Sequence, residues 1–180
     1  MFKRTCHVSR FAVVLLMLGL GACAIQSSQP GVSLPRSGSW VLLPLVNYSQ
    51  APQASERAEQ ILYSVLARQG LTPAPYPRAS SEELPLLDDG ERLQQALQWA
   101  RQRGASYAIS GSVEEWQYKS GLDGEPAIGI TLKVIEPASG QILWTASSAR
   151  AGWSRESLAG AGQRVLEALV EELPLDPPLE

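Results

Sequence analysis

The sequence predicts an α/β (α+β) sandwich, in which a mixed, largely antiparallel sheet of about 4-5 strands is packed by three helices. Three observations lead to this prediction. Apolar residues recur at helical spacing in three segments. In the second half of the chain they alternate with polar residues, as they do in half-buried strands. One sheet with helices packed on it would bury all of these apolar faces.

The first half of the chain has the order strand, helix, short strand, helix. These elements are expected at Trp40 to Val46, Gln53 to Gln69, within Leu71 to Tyr76, and from Asp88 or Asp89 to Gly104. The first is a continuous apolar run, typical of a buried strand. Each helix carries an apolar stripe and ends at a glycine, which readily adopts the left-handed conformation that follows a helix.

A long strand with an irregularity follows, from Tyr107 to Tyr118. Its apolar residues alternate as far as Val113, and the large residues after that point, Trp116 and Tyr118, have the opposite parity. A β-bulge near Glu114 and Glu115 would return both sets to one face.

The last three elements are two strands and a helix. Ile128 to Val134 and Gln141 to Ala149 alternate around a turn at 137–140, so they are expected to form a hairpin. The last helix is expected to begin at Ser154, a suitable N-cap, and to stop before Pro174.

The N-terminus predicts a lipoprotein signal peptide over residues 1–22. Three basic residues precede an apolar run of ten residues, Phe11 to Leu20, whereas a bilayer span needs roughly 20. Leu20-Gly21-Ala22-Cys23 matches a lipobox, so Cys23 is expected to be the first mature residue and to carry acyl chains such as palmitate. Asp at position 24 would signal retention at the inner membrane. Ala24 therefore favours the periplasmic leaflet of the outer membrane.

Composition divides the rest into three parts. Residues 23–39, the lipidated Cys and a stretch rich in Ser, Gln, Pro and Gly, are expected to form a flexible tether. Residues 40–175 are expected to form a single periplasmic α/β domain, and 176–180 a tail.

The residue types left after cleavage argue against an enzyme. The only histidine, His7, and one of the two cysteines, Cys6, lie in the signal, which disfavours His-based nucleophilic catalysis, zinc sites and disulfides. No cofactor is expected. Glu114 and Glu115 are paired carboxylates, but neighbours on a regular strand point to opposite faces and cannot flank one glycosidic bond; a bulge there loosens this objection without removing it. Removing three basic residues leaves 12 Lys and Arg against 18 Asp and Glu, so the net charge of about −6 favours a cationic partner over nucleic acid.

Five segments resemble known lipoproteins. Residues 40–70, 103–113 and 139–144 resemble the superfamily that includes the curli secretion pore subunit and LpoB, an activator of penicillin-binding proteins. Residues 115–126 and 149–158 more specifically resemble the PelC family of Pel exopolysaccharide export, a process of biofilm formation.

The resemblance implies a non-enzymatic homo-oligomeric ring, thought to be a dodecamer, under an outer-membrane export porin with a scaffold protein. Its acidic lumen would guide a partly deacetylated and therefore cationic exopolysaccharide through the periplasm. The alternative is an LpoB-like lipoprotein regulator that docks onto a periplasmic synthase.

Four residues of the sharper segments are candidates for this work. Asp123 and Glu125 would face the lumen, although Asp123 between Leu122 and Gly124 also suits a tight turn. Trp153 would lie at the membrane interface, where Trp is enriched, or in the core. Arg150 would contact a neighbouring subunit or a lipid phosphate, or remain solvated.

The strand aromatics have separate assignments. Trp144 is expected in the core. Trp116 and Tyr118 could serve the core, a subunit contact or sugar stacking.

Overall fold

The computed structural model describes residues 26–28, 32–77, 89–119, 124–152 and 155–177. Its strands are β1 (Gln26–Ser28), β2 (Trp40–Asn47), β3 (Ala74–Pro75), β4 (Tyr107–Tyr118), β5 (Pro126–Ile135) and β6 (Ile142–Ala151). The helices within these residues are α1 (Ala54–Arg68), α2 (Asp89–Gln102) and α3 (Leu158–Glu171). Three helices on a mixed sheet confirm the predicted fold class.

The strands form one sheet in the order β1-β6-β5-β4-β2-β3. β2 runs parallel to β3 and β4, whereas β4, β5 and β6 form an antiparallel meander that includes the predicted β5–β6 hairpin. β4 and β6 therefore end, and β5 begins, at one edge of the fold, which we call the upper end. β2, β4 and β6 begin at the opposite, lower end.

Helices cover the two faces of the sheet unequally. α1 and α3 lie on one face, over a large apolar cluster that includes side chains from β2, β4, β5 and β6. α2 lies on the other face, over a smaller cluster that includes Val41, Leu43, Ala108 and Ile135. Trp144, which is 3 % exposed, belongs to the large cluster, as predicted.

The predicted bulge in β4 is confirmed. Val113 pairs with Ile130 and Glu115 pairs with Gly129, so Glu114 is the extra residue. Trp116 consequently joins Val113 in the large cluster, where it is 2 % exposed.

Trp116 lies against the backbone of α3 at Gly162. A Cβ at this glycine would lie 2.4 Å from Cη2 and 2.7 Å from Cζ3 of the indole. Only a residue without a side chain permits this approach, so Gly162 allows α3 to close over Trp116.

A second bulge, in β2, was not predicted. Its register against β4 shifts between Leu42 and Leu45, on either side of Pro44. Proline cannot donate to a sheet ladder and is found at bulges or edges. Side chains stabilise the irregular backbone: Ser110 Oγ donates to the Pro44 carbonyl at 2.9 Å, and Leu45 N–H donates to Glu59 Oε1 at 2.9 Å.

Arg92 on α2 braces the same region. Its guanidinium lies 3.6 Å from Glu56, 3.8 Å from Glu59 and 3.7 Å from Asp89. Partial burial raises the pKa of Glu56, but hydrogen bonds from its own backbone N–H and from Ser55, together with Arg92, act in the opposite direction and leave that pKa below its ordinary value.

The start of α3 corrects the predicted N-cap. The helix begins at Leu158 rather than after Ser154, and the capping residue is Ser157, whose Oγ accepts from Gly160 N–H at 3.0 Å. Ser157 has the extended backbone that an N-cap requires. Ser154 lies outside the described residues.

The described part of the segment predicted to be a flexible tether, residues 23–39, includes a buried leucine. Leu34 is 2 % exposed and makes a parallel bridge with Leu175. Its N–H donates to the Pro174 carbonyl at 2.7 Å, and its carbonyl accepts from Asp176 N–H at 3.1 Å. Val32 packs on the same apolar cluster, and Arg36 donates to the carbonyls of Asp176 and Gln69, so several contacts hold this segment on the domain. The signal peptide and Cys23 lie outside the described residues.

Among the residues that the structure describes, no helix combines the length and apolar character that a membrane span requires.

Gly162→Ala should lower the free energy of unfolding by about 1–3 kcal/mol, because its methyl group would overlap the Trp116 ring in a packed core. Chemical denaturation measures this. Gly160→Ala is the matched control, since its Cβ would approach no ring: its neighbours would be the Ser157 hydroxyl at 3.2 Å and Glu156 Cγ at 3.9 Å. Equal effects of the two changes would contradict the proposed contact.

Glu56→Gln should weaken the loss of stability on acidification. Because the folded pKa lies below 4.5, the ionised carboxylate stabilises the fold fully above that pH, and this contribution is lost as the pH falls through the folded pKa. Unfolding curves between neutral and acid pH test this, with Glu171→Gln on an exposed position as the control. The same acid dependence in wild type and Glu56→Gln would show that the Arg92 brace does not involve Glu56.

Candidate functional site

The two segments with the sharper resemblance, 115–126 and 149–158, meet at the upper end. Tyr118 pairs with Pro126 across the β4–β5 hairpin, and Ala127 pairs with Ala151. Gly152 N–H donates to the Pro126 carbonyl at 2.7 Å, which continues the ladder beyond β6. Their described residues therefore contribute to one surface.

The candidate carboxylates belong to the β4–β5 connection. Glu125 is exposed, and its carbonyl accepts from Lys119 N–H at 2.7 Å, so the backbone on both sides of the connection is paired. Asp123 lies outside the described residues, as do Trp153 and Cys23. The structure thus places Glu125 at the upper end in a position where its charge meets solvent.

Arg150 has an acidic partner within its own chain. Its Nη2 lies 3.4 Å from Glu156 Oε2, and the Arg150 side chain is 23 % exposed. Glu156 also lies 3.1 Å from the exposed Arg164, through its other oxygen. The largely buried carboxylate of Glu156 therefore has two cationic neighbours, which offset the free energy lost on its desolvation.

Glu156 is a site residue that sequence reasoning missed. In the sequence, the only local indication of a role for Glu156 was its position near the positive, N-terminal end of a predicted helix. Gly152 allows it to approach the strand, because a Cβ there would lie 2.4 Å from Glu156 Oε2 and 2.6 Å from Pro126 Cγ. A compact arrangement of Gly152, Glu156 and Pro126 thus joins β5, β6 and the segment before α3.

Tyr118 links β4 to the start of α3. Its hydroxyl accepts from Leu158 N–H, the first residue of the helix, at 3.3 Å. Such an acceptor satisfies one of the backbone donors that a helix leaves unpaired at its N-terminus. The Tyr118 side chain nevertheless remains 50 % exposed. Of the two aromatics left open, Trp116 belongs to the core, while Tyr118 remains available for a subunit contact or sugar stacking.

The upper end exposes charged and aromatic side chains. In the described part of the chain, no cluster of three or more His, Cys, Asp or Glu side chains could hold a metal ion. An exposed carboxylate, an exposed tyrosine and a paired arginine can attract cations and contact sugar rings or a neighbouring protein.

The comparison with solved structures gives similar folds. A PelC dodecamer from Paraburkholderia phytofirmans that carries one substitution has 30% sequence identity and a TM-score of 0.71, and the match covers 86% of this chain and 100% of that chain. A second PelC dodecamer from that organism gives 29% identity, a TM-score of 0.71, and coverage of 87% and 100%.

A more distant similarity is to the lipoprotein GNA1162 from Neisseria meningitidis, with 17% identity and a TM-score of 0.51 over 75% of this chain and 96% of that chain. This level of similarity shows a shared fold alone. No protein-family model and no curated protein matches the chain.

Tyr118→Phe and Tyr118→Ala should separate the two roles of this side chain. Phe removes the acceptor for Leu158 N–H and should lower the free energy of unfolding by about 0.5–1.5 kcal/mol. The loss is limited because this N–H lies beside a half-exposed side chain and can bond to water instead. Phe keeps the ring, so a contact through the ring should survive in Phe and be lost in Ala. Denaturation and an assembly or polymer-binding assay measure the two effects. Equal loss of binding in both variants would contradict a ring contact.

Proposed function

Because the chain belongs to the PelC family, we propose that it is an outer-membrane lipoprotein that forms a ring and guides a cationic exopolysaccharide of the Pel type to an export porin. The observation that carries the proposal is the match to PelC dodecamers over 100% of their chains at 29–30% identity. Similarity over a whole domain makes a similar assembly the simplest proposal for this chain.

The charge of the chain supports the proposed cargo. After removal of the signal, the net charge is about −6, and Glu125 is exposed at the upper end. Asp123 lies two residues before Glu125 in the same connection. A ring would repeat these carboxylates around its axis, and their summed field would attract an amino sugar that carries positive charge.

The proposed anchor is Cys23, with Trp153 as a second contact to the leaflet. More than one acyl chain gives stable attachment, since each buried methylene contributes about 0.8 kcal/mol. Trp153 directly follows Gly152, whose backbone lies at the upper end. Tryptophan suits this position because its ring is apolar and its N–H is polar.

The proposed intersubunit or lipid role of Arg150 is additional to its pairing with Glu156. A guanidinium has five N–H donors, so one carboxylate does not exhaust it. A neighbouring acid or a lipid phosphate would be its second partner.

The alternative, an LpoB-like regulator of a periplasmic synthase, would require a long reach below the membrane. Even if the whole segment before the buried Leu34 were free, the 11 residues from Cys23 to Ser33 would span only about 40 Å when fully extended. The short reach favours a protein that works close to the leaflet.

The lipidated chain, extracted in mild detergent, should give one discrete mass many times that of the monomer. Native mass spectrometry measures it, beside a chain that starts at Ala24 and therefore has no lipid. If both are strict monomers at high concentration, the ring proposal is wrong.

Asp123→Asn with Glu125→Gln should lower polymer secretion several-fold without changing protein level or assembly, because the lumen loses two negative charges per subunit. The matched control is Glu171→Gln with Glu172→Gln, which removes two exposed carboxylates near the lower end. Secreted polymer is quantified with a labelled lectin. Unchanged secretion in the first variant would support the turn interpretation of Asp123.

A further inference from the structure

The segment closest to the proposed lipid attachment is a strand of the sheet. β1 pairs antiparallel with β6, in the register Gln26 with Ser147, Ser27 with Ala146, and Ser28 with Thr145. β6 is joined on its other side to β5. β1 therefore supplies backbone partners along the outer side of β6, which would otherwise be an open edge.

The direction of β1 determines where the N-terminus leaves the fold. Because β6 runs toward the upper end and β1 is antiparallel to it, Gln26 is the residue of β1 nearest the upper end and Ser28 is the residue nearest the lower end. At the lower end, Leu34 bridges Leu175 and β2 begins at Trp40. The N-terminal segment is thus held to the domain at two separate places.

Chain length limits the position of Cys23. It precedes Gln26 by three residues, and three residues span at most about 11 Å. The α-carbon of Cys23 must therefore lie within that distance of Gln26, which pairs with Ser147 on β6.

We infer that β1, which begins three residues after Cys23, acts as a short strut: it limits the distance between Cys23 and β6 and, under the proposed function, turns the upper end toward the lipid leaflet. The strut itself rests on the β1–β6 register and the chain length. The acylation of Cys23, and with it the orientation of the upper end toward a leaflet, rests on the proposed function.

The strut has a consequence that a free tether lacks. A tether of sixteen residues lets a domain turn in any direction below the membrane. A three-residue connection to a paired strand limits both the height and the tilt of the domain. Neighbouring subunits would then meet the leaflet already oriented, which lowers the rotational entropy lost on assembly.

Disulfide trapping in the full lipidated chain tests the strut. Once the signal is removed, Cys23 is the only cysteine left and its thiol is acylated, so an introduced pair has no competing thiol. Gln26→Cys with Ser147→Cys places two cysteines opposite each other in the ladder and should cross-link spontaneously in the periplasm. The matched control is Gln26→Cys with Ala149→Cys, two residues further along β6, a displacement of about 6.8 Å.

The in-register pair should cross-link about tenfold more than the control, because two cysteines beyond about 7 Å between α-carbons cannot be bridged without movement. Adding Ser27→Pro and Ser28→Pro removes two consecutive backbone donors and should abolish this preference while the melting temperature changes little, since the large core is untouched. Equal cross-linking of both pairs, or a preference that survives the prolines, would overturn the strut.

Acylation is read separately by labelled palmitate in the same cells. A missing label with intact cross-linking would contradict the proposed anchor and leave the strut standing. An intact label with equal cross-linking of the two pairs would reject the strut and leave the anchor standing.

Discussion

The contact between Trp116 and Gly162 sets the position of α3, and the arrangement of the upper end depends on it. The extra residue Glu114 turns Trp116 toward the large apolar cluster, and the missing side chain of Gly162 lets the helix backbone close over the indole. The separation of a helix from its support is set by the side chains at the contact. With α3 fixed at this point, its first residue, Leu158, falls within hydrogen-bonding distance of Tyr118.

Two ion pairs add to the connection between the sheet and α3 that the Trp116–Gly162 contact makes. Glu156 stands between Arg150 on β6 and Arg164 on α3, and it is the less exposed partner in both ion pairs. A carboxylate in that position needs cationic neighbours, because an uncompensated buried charge destabilises a fold strongly. The arginine that the resemblance assigns to an interface is therefore also part of the single subunit. Substituting it would disturb the β6–α3 connection as well as any contact between subunits.

The elements that the sequence predicted correctly are those whose apolar pattern lies within one segment of the chain. The parity change around Glu114, the β5–β6 hairpin and the three amphipathic helices all follow from spacing within one segment. Burial of Leu34 does not, since the polar average composition of the segment hides its few apolar residues. The bulge at Pro44 was signalled by a proline within a strand, but its acceptor, Glu59, lies on another element. Ser157 rather than Ser154 caps α3. The contacts of the helix with Trp116 and Tyr118 on β4 determine where it begins, and these contacts are not visible in the local sequence.

The placement of charge and anchor at one end has a directional consequence under the proposed function. β1 brings Cys23 within about 11 Å of Gln26, and Glu125 is exposed at the same end of the sheet. Electrostatic attraction in physiological salt falls off over about 8 Å, so the Glu125 carboxylate acts only on a polymer that has come close to it. A cationic chain that enters a ring from the periplasm would pass the lower end first and meet Glu125 beside the leaflet. Its attraction would therefore act where the polymer passes to the porin, which is where an export path must receive its cargo.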